Sequence, residues 1–97
     1  MKLSNNEIHL IQKYFGTKPV LNAYVFGSYA KGNANELSDI DILVELDYDQ
    51  RIGLEFIQMQ LDLEEILNTK VDLVSSNGLS KYIKPTIELE KKLIYAR

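Results

Sequence analysis

The residue pattern predicts an α/β (α+β) fold, a small mixed β-sheet backed by helices, with residues 1–97 forming a single domain. Apolar residues recur at helical spacing in two stretches, near 5–15 and 52–67. Short runs rich in aliphatic and aromatic residues, near 21–26, 40–46 and 70–74, read as strands. The order strand, helix, strand between residues 40 and 74 makes the second and third strands parallel neighbours. Ninety-seven residues build one core but not two, so any further substrate-reading module is expected to come from another chain.

The first helix opens at Ser4-Asn5-Asn6-Glu7, the spacing of a capping box, with Leu3 and Ile8 placed as its hydrophobic staple. Ile8, Ile11 and Phe15 carry its period, and Gly16 is the expected stop. Lys18-Pro19 breaks the pattern before the strand Leu21 to Phe26, and Asn33-Ala34-Asn35-Glu36 is a turn cluster ahead of the strand Ile40 to Leu46. From Ile52 a long amphipathic helix is expected, with Leu54, Ile57, Leu61, Phe56, Leu63, Ile66 and Leu67 as its apolar positions and Glu55, Asp62 and Glu64 outward. Asn68-Thr69 ends it before the strand Lys70 to Val74. A helical turn around Leu79 to Ile83 then precedes a last helix opened by Pro85, and Leu93-Ile94-Tyr95 is expected to pack as an extended tail.

The composition, 45% hydrophobic and 26% charged, is that of an ordinary globular protein rather than a disordered one. A net charge of −3 argues against direct nucleic-acid binding, whose affinity comes mainly from lysine and arginine on phosphates. With no cysteine, disulfides and thiolate metal sites are excluded. The sequence has neither a signal-peptide pattern nor an apolar run long enough to span a bilayer, so a cytoplasmic protein without membrane contact is expected.

Chemistry concentrates in Phe26-Gly27-Ser28-Tyr29-Ala30-Lys31-Gly32 and Leu37-Ser38-Asp39-Ile40-Asp41-Ile42-Leu43-Val44-Glu45. The first segment reads as a strand ending at Gly27 and running into a short helical turn, which aims backbone N–H groups at an anion such as phosphate. In the second, alternation along a strand puts Asp39 and Asp41 on one face and Ile40 and Ile42 on the other. Asp72 has the same parity on a neighbouring strand, and Glu45 shares the face farther along. Aspartates gathered on one strand face repel one another unless a cation lies between them, and hard divalent cations take such oxygen ligands. A side chain at Gly27 would stand where backbone must approach such an anion, so a β-branched residue there is expected to harm binding of the anion more than the fold.

Gly27-Ser28, ten intervening residues and Asp39-x-Asp41 resemble the signature of the DNA polymerase beta-type nucleotidyltransferase superfamily. With the run Ser38 to Glu45, and at this length, the chain is most similar to the minimal nucleotidyltransferase (MNT) proteins, and the likeness covers almost all of it. The resemblance implies a polymerase beta-like fold and a transferase that moves AMP from ATP, or another nucleoside monophosphate from its triphosphate, to a hydroxyl. It implies two Mg2+ ions held by Asp39, Asp41 and Asp72, which are also the catalytic residues, and nucleotide contacts from Gly27, Ser28, Lys31 and Ser38. Many members carry arginine where this chain has Tyr29 and Lys31. Lysine keeps the charge without the bidentate fork, and tyrosine loses it. Small MNT proteins often pair with a HEPN-family toxin, which implies an antitoxin role, a toxin tyrosine as acceptor, and assembly with itself or with that partner. The rival reading is a non-catalytic antitoxin or subunit that neutralises its partner by stoichiometric binding.

Overall fold

The computed structural model describes residues 2–97. Helix α1 (Asn5–Phe15) begins at the predicted capping box: the Ser4 hydroxyl accepts from the Glu7 N–H at 3.1 Å, and the Glu7 carboxylate accepts from the Ser4 N–H at 2.9 Å. Leu3 and Ile8, the expected staple, both pack against the core. Gly16 does end the helix, but in right-handed conformation (φ −59°). The stop comes from tightened turns in which Thr17 and Lys18 donate to Tyr14 and Phe15, three residues back.

Strands β1 (Val20–Phe26) and β2 (Ile40–Leu46) are antiparallel and are joined through a single turn of helix, α2 (Ser28–Lys31). Helix α3 (Glu55–Leu67) carries the chain from β2 to β3 (Val71–Ser75), which lies parallel to β2 as the crossover rule requires. A 3-10 turn at Ser76–Gly78 comes first, and the expected turn, at 81–83 with the Lys84 N–H donating to the Ser80 carbonyl, then leads into α4 (Lys84–Glu90), with Pro85 in its opening positions. The expected extended tail is a strand, β4 (Lys92–Ala96), antiparallel to β1. The sheet order is β3-β2-β1-β4, mixed as predicted.

Alternation along the strands sends Ala23, Val25, Ile40, Ile42, Val44, Val71 and Leu73 to one face. There they form a single buried cluster with Ile11 and Phe15 of α1 and Met59, Leu63 and Leu67 of α3. Helix α3 departs from its sequence reading in two ways. It starts at Glu55 rather than Ile52, because Gly53 takes a positive φ of 48° and Ile52 closes a turn onto the Glu55 N–H. Its acidic residues are not simply outward either: Glu55 pairs with Lys18 at 3.0 Å, Asp62 accepts from the Tyr14 hydroxyl, and Glu64 accepts from the Val71 N–H at 3.1 Å. The sequence carries two apolar stripes on this helix and the sheet covers one of them, so Leu54, Ile57 and Leu61 stand exposed. Among the described residues no helix is long and apolar enough to cross a membrane.

Candidate active site

The opposite face of the sheet carries the polar parity set of β1, β2 and β3. Phe26, the last residue of β1, lies across from Asp41, so the turn into α2 occurs beside that carboxylate. Gly27 makes the turn with φ 70° and ψ −149°, a region that glycine alone enters readily. A Cβ there would overlap Asp41 Oδ2. Backbone and carboxylate thus approach as closely as glycine permits, and Gly27 belongs to the fold as much as to any ligand. Gly27→Val is expected to lower the unfolding free energy by about 2–4 kcal/mol, readable from the denaturant midpoint; an unchanged midpoint would show that the turn relaxes freely. The sequence reading placed the damage at the bound anion, whereas the backbone geometry adds a direct cost to folding.

Asp41 lies across from Asp72 in the parallel pairing of β2 with β3, which puts both residues on one face of neighbouring strands, whose usual spacing is about 4.8 Å. Asp39, just before β2, is exposed, while Ile40 and Ile42 are fully buried as alternation predicted. Burial first, then the charges of Asp72 and Asp39, pushes the Asp41 carboxyl up to about 6. None of the three forms an ion pair with a cationic side chain among the described residues. Nor, among those residues, does any trio of carboxylate or imidazole groups stand already converged as a metal cage.

The remaining predicted contacts are arranged less simply. The Ser28 hydroxyl makes no hydrogen bond to the described residues, and its amide, at the start of α2, has no intrahelical acceptor. Ser38 is engaged in its own turn, where its hydroxyl accepts from the Asn35 N–H at 3.0 Å and so braces the approach to Asp39. Lys31 ends α2 with its ammonium 3.0 Å from Glu90 of α4.

Glu45 is occupied, accepting from Asn22 at 3.0 Å and from the Tyr24 hydroxyl at 2.8 Å. That bond, with burial second, pushes Tyr24 up to about 12. Glu45 is therefore a structural acceptor through Oε1. Lys91, one residue past α4, lies 4.3 Å from the centroid of the Tyr24 ring and fixes the end of α4 over this face of the sheet. Sequence reasoning missed Tyr24, Glu90 and Lys91 as neighbours of the site, since only the β1–β2 register and the return of α4 bring them there.

The family model described as polymerase beta, nucleotidyltransferase matches residues 9–97. A protein of Methanocaldococcus jannaschii, provisionally named a protein adenylyltransferase, is 38% identical over 95 residues, which cover 96% of this chain and 89% of that one. Protein adenylyltransferase MntA of Thermococcus cleftensis is 38% identical over 77 residues, covering 79% and 74%. Among solved structures, a toxin–antitoxin crystallised with AMP-PNP superposes with a TM-score of 0.79 at 25% identity, covering 93% of this chain and 73% of that one.

Proposed function

We propose that this chain, which belongs to the polymerase beta nucleotidyltransferase family, is a cytoplasmic protein adenylyltransferase acting as the antitoxin of a HEPN-family toxin. It would transfer AMP from ATP to a hydroxyl of that partner, specifically a tyrosine. The carrying observation is the placement of Asp41 across from Asp72 on parallel strands, immediately beside the glycine turn at Gly27. The name of the Thermococcus relative and the AMP-PNP complex of the structural neighbour support the activity, the nucleotide and the kind of partner.

Carboxylate oxygens without a cationic partner are the donor chemistry a hard divalent cation takes, and Asp39, Asp41 and Asp72 would converge on Mg2+ as it binds, two ions in the complete site. The metal would supply neutralisation of the triphosphate and a lowered pKa for the attacking hydroxyl. Around it, the turn at Gly27 would bring its backbone beside the phosphate, and the Ser28 hydroxyl and amide would offer hydrogen bonds to it. Lys31 supplies the nearest positive charge on α2. Asp41, held against Gly27, fixes the distance between the phosphate turn and the carboxylate strand.

The exposed stripe on α3, with Leu54 at 80%, Ile57 at 61% and Leu61 at 53% exposure, favours a second reading in which binding alone neutralises the partner. Incubation with ATP labelled at the α-phosphate, Mg2+ and the partner toxin separates the two. Covalent label on the toxin supports transfer, and tight association without label supports binding alone.

A further inference from the structure

Helix α4 has no part in the carboxylate site, yet it supplies the partner of the only cationic side chain on α2. We propose that Glu90 is a latch on Lys31: its carboxylate competes with the nucleotide's phosphates for the ammonium and so sets the nucleotide affinity of the site. The inference rests on the reading of Lys31 as a phosphate contact.

Four observations carry it. The pair is close, with Lys31 Nζ 3.0 Å from Glu90 Oε1. It is asymmetric: the Glu90 side chain is 21% exposed and that of Lys31 53%, so the carboxylate is the enclosed member and the ammonium the one with room to move. Glu90 has no other ion-pair partner among the described residues, because the adjacent Lys91 is committed to Glu88 at 2.8 Å and to the face of Tyr24. Finally, Glu90 ends α4, where the exposed helix carbonyls disfavour a negative charge, so Lys31 is the charge that compensates it.

A triphosphate is the stronger anion and can draw Lys31 away, but two costs follow. The pair is broken, and an enclosed carboxylate is left without a counter-charge near the incoming phosphates. Both vanish when Glu90 is neutral. Glu90→Gln is therefore expected to bind nucleotide more tightly by about three- to tenfold at low salt, a range set by the modest worth of an exposed ion pair plus the relieved repulsion. The gain should shrink as salt is raised.

Titration calorimetry with Mg2+ and AMP-PNP on the wild type, Glu90→Gln, Lys31→Met and the double variant decides the matter, with melting curves to verify folding. Tighter binding by Glu90→Gln that disappears in the Lys31→Met background supports the latch. Equal or weaker binding by Glu90→Gln overturns it, as does the same gain with and without Lys31, which would signal general charge repulsion only. Both of the latter results leave the nucleotide reading intact. A wild type that binds no AMP-PNP would instead overturn the nucleotide reading, and the latch with it.

Discussion

Asp41→Asn is expected to melt about 5–10 °C above the wild type in metal-free buffer near pH 8, and to lose transfer by several orders of magnitude. The stability gain follows from the apo site. In the folded chain the Asp41 carboxyl titrates near 6, against an ordinary value of 3.8, because burial and the charges of Asp72 and Asp39 oppose its ionisation. Between roughly pH 4 and 6 the folded state thus binds more protons than the unfolded one, so wild-type stability falls as pH rises through that window and stays low above it. Allowing for solvent screening at a partly exposed site, the amide removes about 1–2 kcal/mol of strain at pH 8 and little at pH 4. Saturating Mg2+ and ATP should reverse the order by stabilising the wild type selectively. Melting curves at pH 4 and 8, with and without ligand, test all of this. A variant that keeps wild-type transfer would remove Asp41 from the chemistry, and one that melts no higher at pH 8 would remove the repulsion argument.

The second large effect is expected at Asp72. If it contacts only the metal nearest the acceptor, Asp72→Asn should retain nucleotide affinity within a few-fold while the single-turnover rate falls by about a hundredfold or more. Asp39→Asn, at a residue expected to touch both metals, should lose affinity and rate together. A readout independent of activity is available as well. Asp72 is the largest charge opposing ionisation of Asp41, so its neutralisation should bring the Asp41 pKa down, visible in a carboxyl NMR titration. A rate equal to wild type would remove Asp72 from the third carboxylate role.

What was legible in the sequence is what is local. The capping box fixed the start of α1 within one turn of chain, and strand alternation sorted Asp39 and Asp41 from Ile40 and Ile42. Face parity also put Asp72 on the right side of its strand, although its registration with Asp41 depends on how α3 spans the crossover. Helix α3 was half legible. Its period was plain, but Leu54, Ile57 and Leu61 compete with Met59, Leu63 and Leu67 for the core, and only packing decides which stripe is covered. The pairing of Lys31 with Glu90 had no local signal, because the two residues meet only after the chain has crossed the sheet. The tail was legible as extended, while its partner strand was not.

The placement of β4 bears on how the chain is made. Three strands, the Gly27 turn and all three aspartates are contributed by residues 20–75, whereas the β1 edge pairs only with residues 92–96. During synthesis the carboxylate face can therefore assemble while β1 still shows unpaired amides and carbonyls, the kind of edge that recruits foreign strands. Closing it requires Asn22 to find Ala96 across two intervening strands and three α-helices, a contact that chain entropy places late in folding. The vulnerable interval ends only when residues 92–96 have been made and can pair, and truncation or stalling before them would leave the carboxylate face on a chain prone to aggregate.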